Sequence, residues 1–180
     1  MSIVVAGLSY RSSPVTVRER FAFDEKAIPE ALARLRAGGI ASEGVILSTC
    51  NRVEIYAAAE DSAAAIRELK NFLADYHNYL EPLPDGIYAL ADPQSVEHLF
   101  KVACGLDSMV LGETEILGQL KKAYDLALQH QHTGGRLNKT FQRAFNVAKH
   151  IRTATNIQRG SVSVMSAAVE LAEKIFTSLA

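Results

Sequence analysis

The sequence predicts an α+β fold, and three observations predict it. Apolar or alternating runs at 3–8, 45–48, 53–57 and 86–91 carry strand periodicity, with amphipathic helical stretches between the first and second and between the third and fourth. From Asp92 onward every periodic stretch repeats at helical spacing. No Gly-x-Gly-x-x-Gly follows a strand, so a dinucleotide fold has no support in these 180 residues. The order βαββαβ is the split arrangement called ferredoxin-like. The expected organisation is a ferredoxin-like subdomain at 1–91, a helical subdomain at 92–158 and the start of a long connecting helix at 159–180.

Ile3-Val4-Val5-Ala6-Gly7-Leu8 reads as a buried strand, and the charged, Pro14-containing segment to Phe23 reads as an ordered loop. Asp24 caps a helix whose apolar positions Ile28, Ala31, Leu32 and Leu35 share one face, and Gly38-Gly39 ends it. Val45 to Ser48 forms the second strand. In the third, Val53, Ile55 and Ala57 alternate with Glu54 and Tyr56. Asp61-Ser62 opens a helix with Ile66, Leu69, Leu73 and Tyr76 inward, and Gly86 to Ala91 supplies the fourth strand. Asp92-Pro93 reads as a cap with proline at the first helical position, ahead of the stripe Val96, Leu99, Phe100 and Ala103. Further helices run from Glu113 to Gln129, from beyond Gly134-Gly135 to Thr155, and from Ser161 to Leu179.

Composition excludes several classes. At 48% hydrophobic and 22% charged residues with a net charge of −1, the chain has an ordinary globular balance and no polyelectrolyte character. Two cysteines make no disulfide framework, no cysteine–histidine spacing suits a metal, and no apolar run is long enough to cross a bilayer. A cytoplasmic, reduced protein is the expectation.

The stretch Ser48-Thr49-Cys50-Asn51-Arg52-Val53-Glu54 carries the chemistry. A thiol is a strong nucleophile as thiolate, and a nearby cation favours that form. On the residues alone Cys50 reads either as a small buried thiol between strands or as a nucleophile. Arg52 reads as a carboxylate-binding fork or as a surface partner of Glu54. Cys104 reads as a packed helix residue. Between Leu126 and Val169 no acidic residue occurs, while Arg136, Lys139 and Arg143 fall at helical spacing with His150. That face is a solvated basic surface or a phosphate contact.

The cysteine motif resembles that of glutamyl-tRNA reductase, the first committed enzyme of five-carbon tetrapyrrole (porphyrin) synthesis. Gly7-Leu8-Ser9-Tyr10-Arg11-Ser12-Ser13-Pro14-Val15 with Arg18-Glu19-Arg20, the run Gly105 to Gln119, Lys149-His150-Ile151-Arg152-Thr153 and Ser161-Val162-Ser163-Val164 resemble the same family in the same order. The resemblance implies an oxidoreductase in which Cys50 attacks the glutamyl-tRNA ester and holds glutamate as a thioester. NADPH, bound by a domain absent from this chain, then reduces it to glutamate-1-semialdehyde. It implies His98 as a second catalytic residue, orienting the ester or protonating the departing ribose hydroxyl. Thr49, Asn51, Arg52, Ser108, Glu113, Thr114, Glu115 and Gln119 are implied around the substrate, with Glu113 in the first turn of a helix and suited to an α-ammonium group. The family's Glu-Pro-Gln is Glu113-Thr114-Glu115 here, so a hydrogen-bond role carries over less directly to Glu115.

Arg136, Lys139 and Arg143 become candidates for contact with tRNA(Glu). The resemblance also implies a homodimer through a missing C-terminal domain, hand-off of product to glutamate-1-semialdehyde aminomutase, and for this chain alone the thioester and esterase half-reaction. Two rivals differ in class. One is a non-catalytic RNA-binding or regulatory ferredoxin-like module, which would use sheet-face aromatics such as Tyr56 and Tyr88. The other is a thiol hydrolase, which needs a histidine against Cys50.

Overall fold

The computed structural model describes residues 1–157 and 164–175, and the element order is β1 (Ser2–Ser9), α1 (Val15–Arg20), a 3₁₀ turn (Glu25–Ala27), α2 (Ile28–Ala37), β2 (Glu43–Ser48), β3 (Arg52–Ala59), α3 (Ser62–Tyr76), β4 (Tyr88–Ala91), α4 (Gln94–Ala103), α5 (Glu115–Gln129), α6 (Gly135–Ala154) and α7 (Val164–Ile175). The four strands form one sheet in the order β2-β3-β1-β4, every neighbour antiparallel. This is the spatial order of the ferredoxin-like split βαββαβ unit, and the α+β expectation holds.

The helices cover both sides of the sheet. Helices α2 and α3 pack on the face that carries Val53, Ile55 and Ala57, α4 and α6 roof the other, and α5 lies against β2 and α2. All eight residues of β3 are therefore buried, including Glu54 and Tyr56, where strict alternation predicted a wet face. Alternation suits a half-exposed strand, but the later helices close the polar side. That layering also removes the sheet-face platform an RNA-binding module would use, since Tyr56 is 0% exposed and its ring packs edge-on against Phe141.

Local chemistry explains most boundaries, and four differ from expectation. Residues 15–20 form the short helix α1 rather than a loop, starting directly after Pro14, which supplies the extended entry. Asp24 caps the 3₁₀ turn, its carboxylate accepting from Lys26 N at 3.1 Å, and α2 follows. Asp92 does not cap α4, where Pro93 occupies the N-cap position. Its carboxylate instead accepts from Ile3 N at 2.9 Å and from Ser95 Oγ at 3.3 Å, pinning α4 to β1. Helix α5 begins at Glu115, so Glu113 lies before it in a loop and not in its first turn. The Ser161–Leu179 helix is present as α7, while its expected ends, with Arg159, lie outside the described residues.

Two long-range features set the positions that matter for chemistry. Across the sheet, Glu54 of β3, Gly7 of β1 and Tyr88 of β4 stand in register. A Cβ on Gly7 would collide with the Val53 carbonyl and crowd Glu54, so only glycine lets the three strands meet there. The second feature is the loop 104–114, folded back by Gly112 N on Gly105 O at 2.9 Å, with both glycines at positive φ of 77° and 73°. Among the described residues no helix is long and apolar enough to cross a membrane.

Candidate active site

The tip between β2 and β3 presents Cys50. Thr49 Oγ1 accepts from Asn51 N at 3.2 Å and Arg52 N at 3.1 Å, and Thr49 N closes on Arg52 O at 2.8 Å. Tyr10 N donates to Asn51 O at 2.8 Å, tying the tip to the end of β1. The buried Arg18 of α1 donates Nε to Cys50 O at 3.2 Å and Nη1 to Ser13 O at 2.6 Å. Cys50 is exposed and free, so the structure rejects the buried-thiol reading. Cys104 is the buried one, and burial pushes its thiol up, opposed by Arg152. No histidine bonds to Cys50 among the described residues, which leaves the thiol hydrolase without its base.

Beneath the tip lies a buried ionic cluster. Arg52 is 1% exposed and Glu54 0%, so their 2.8 Å pair is not a surface pair. Glu54 Oε1 also meets His98 Nε2 at 2.7 Å and accepts from the Tyr88 hydroxyl, while Oε2 accepts from Tyr56 OH at 2.7 Å. Burial alone would raise the Glu54 carboxyl, yet Arg52, His98 and Tyr88 together hold it down at about 2. For Tyr88 and Tyr56, burial and the neighbouring carboxylate act in the same direction and push both phenols up. The other edge of the Arg52 guanidinium donates to Asp107, to its backbone oxygen and to Oδ2 at 3.1 Å. Asp107 Oδ1 pairs in turn with the exposed Arg11 at 3.0 Å. Arg52 thus already holds two internal carboxylates.

The remaining expected residues divide into two groups. Ser108 joins the cluster, because Tyr10 OH donates to its carbonyl at 3.0 Å, and its own Oγ is buried with no partner. Glu113 is 8% exposed with its carbonyl on Arg152 Nη2 at 3.1 Å, and its carboxylate receives no hydrogen bond within the described residues. Thr114 and Glu115 are exposed, and the Thr114 carbonyl accepts from the same Arg152 Nη2 at 3.4 Å. Gln119 lines a cleft of about 170 Å³ between α2, β2 and α5, with Phe23, Ile28, Ser48 and Lys122. Arg136, Lys139 and Arg143 are exposed on one side of α6. Sequence reasoning missed Arg18 and Asp107, both inside motifs it quoted, and the joining role of Glu54. The available signal was a carboxylate and two tyrosines in strand positions of one sheet. No group of His, Cys, Asp and Glu among the described residues could hold a metal ion.

The comparisons place the chain in a family. The family model described as glutamyl-tRNAGlu reductase, N-terminal domain, matches residues 6–155. A glutamyl-tRNA reductase of Geotalea daltonii is 48% identical over 180 residues, covering 99% of this chain and 42% of that protein. One from Neisseria meningitidis is 44% identical with the same coverage of 99% and 42%. The solved glutamyl-tRNA reductase from Methanopyrus kandleri superposes with a TM-score of 0.74 at 37% identity, covering 98% of this chain and 41% of that one. The chain spans about two-fifths of the length of the relatives it matches. It therefore belongs to the glutamyl-tRNA reductase family and corresponds to the N-terminal domain.

Proposed function

We propose that this chain carries out the acyl-transfer half of glutamyl-tRNA reduction. The Cys50 thiolate attacks the ester carbonyl carbon of glutamyl-tRNA. The carbon–oxygen bond to the terminal ribose then breaks, the ribose oxygen takes up a proton, and glutamate remains on sulfur as a thioester. One observation carries the reading: the free thiol stands exposed on a tip fixed by Thr49, Tyr10 and Arg18, two residues before Arg52 of the buried Arg52–Glu54–His98 cluster.

The surrounding groups fit a glutamyl moiety. Arg52 and Arg11 converge on Asp107, so the substrate's side-chain carboxylate takes a place between two guanidinium groups as Asp107 yields it. Glu113, with an unpartnered carboxylate in a nearly closed position, suits the α-ammonium, and the unpartnered Ser108 Oγ is a donor for the same moiety. Thr49 serves the tip, because its hydroxyl is taken up by backbone groups. Asn51, on the same tip, remains with the substrate. Thr114, Glu115 and Gln119 lie outward, where the ribose end of the substrate approaches. The exposed cations of α6 suit tRNA phosphates.

NADPH-dependent reduction belongs to a part of the relatives that these 180 residues do not span, and no step in this chain is routed through it. Likewise 1–91 and 92–158 act as one catalytic unit, since a single core runs from β1 to α6. The test is to follow free glutamate and NADPH absorbance together when the 180-residue chain meets glutamyl-tRNA. Slow glutamate release without NADPH consumption is expected. NADPH turnover would place the cofactor in this chain and overturn the reading.

A further inference from the structure

Glu54 stands at the centre of the buried cluster. Its carboxylate takes four donors from three elements: Arg52 and Tyr56 on β3, Tyr88 on β4 and His98 on α4. An ionised carboxylate only accepts hydrogen bonds, so the His98 nitrogen 2.7 Å away, Nε2, must carry a proton. Nδ1 makes no hydrogen bond among the described residues and is not shut off from solvent. The Tyr88 ring lies edge-on to the imidazole at 5.5 Å between centroids and restricts its rotation. His98 therefore has one tautomer, one orientation and one free nitrogen.

We propose that Glu54 is a positioning residue which, by holding Nε2–H of His98, dedicates Nδ1 to proton transfer with the departing ribose oxygen while the same carboxylate fixes Arg52 beneath Cys50. This rests on the acyl-transfer reading. Once the ester is bound, Nδ1 takes up a proton from solvent. It delivers that proton to the ribose oxygen as the ester carbon–oxygen bond breaks, leaving a ribose hydroxyl and a neutral imidazole still bonded through Nε2–H. Glu54 stays ionised throughout, with Arg52 as its permanent counter-charge. One strand residue thereby sets both the acid and the carboxylate-binding cation for a nucleophile four positions earlier in the chain.

The replacement Glu54→Gln is nearly isosteric, but an amide can turn its NH₂ toward Nε2 and favour the opposite tautomer. Rapid-quench single turnovers of glutamyl transfer to Cys50 are compared for the wild-type chain, Glu54→Gln, His98→Ala and the double variant. General acid–base catalysis is worth about 10²–10⁴-fold, so each single variant loses at least about 10²-fold. Groups acting as one unit are non-additive, so the double variant loses no more than the worse single one. Iodoacetamide labelling of Cys50 and circular dichroism report whether the tip and fold survive. Nitrogen-15 NMR of wild-type His98 is the arm that needs no variant, and Nε2–H in the neutral ring is expected.

An Nδ1–H tautomer in the wild-type chain overturns the proposal. So does a Glu54→Gln effect that multiplies undiminished in the His98→Ala background, or a Glu54→Gln rate equal to wild type. Absence of any thioester in folded wild type would instead reject the acyl-transfer reading, while the NMR arm still decides what Glu54 does to His98.

Discussion

Arg52, Glu54 and His98 show what a single side chain can reveal only after folding. Their types and spacing mark a polar cluster around Cys50, and the motif places the first two on one side of a strand. That this side is sealed depends on helices beginning forty residues later, so no local period reports it, and Arg52–Glu54 passes for a surface pair. Burial changes the energetics as well as the location. A carboxyl held at about 2 against an ordinary 4.5 contributes on the order of 3 kcal/mol of stability. Because the folded value is the lower one, this stability is complete above the unfolded value of 4.5 and is lost as pH falls from there through about 2. Urea midpoints measured across that window should therefore drop steeply for the wild-type chain and much less for Glu54→Gln. Parallel acid profiles for the two proteins would show that Glu54 is not the titrating anchor.

At the level of elements, amphipathic periods located every strand and the long helices, because their apolar faces are what the core buries. Short or capped pieces escaped. Helix α1 has six residues, too few to show a period, and Asp92 resembled a cap because the partner it actually serves, Ile3 N, is eighty-nine residues away. Another such partner is Glu43 on β2. Its carboxylate accepts from Arg136 N at 3.1 Å and Leu137 N at 2.7 Å, capping the start of α6, whose own N-cap Gly134 has no side chain to do so. Glu43→Ala should cost about 1–2 kcal/mol, read as a lower urea midpoint at unchanged slope. A midpoint within error of wild type would mean that water satisfies those amides equally well.

Helix α6 also carries the basic face. Replacing Arg136, Lys139 and Arg143 by Ala should weaken tRNA binding and flatten its salt dependence by about one unit of slope per lost phosphate contact. Reaction with a small glutamyl thioester should hardly change. An unaltered tRNA affinity across a salt series would make this a solvated surface only.

For the molecule as a whole, the three-layer arrangement unites a ferredoxin-like sheet with a helical roof in one core, and the site forms where the β2–β3 tip meets the loop 104–114 and α4. The order of elements was readable from periodicity. The union of tip, loop and roof was not, because it depends on contacts such as Arg52 to Asp107, fifty-five residues apart. The central claim concerns the sulfur itself. Intact-mass spectrometry with peptide mapping, after the chain meets glutamyl-tRNA without NADPH and is quenched in acid, tests it most directly. One glutamyl residue on Cys50 is predicted, present in Cys104→Ser and absent in Cys50→Ser. An adduct retained in Cys50→Ser, or a folded wild-type chain that never acquires one, would contradict it.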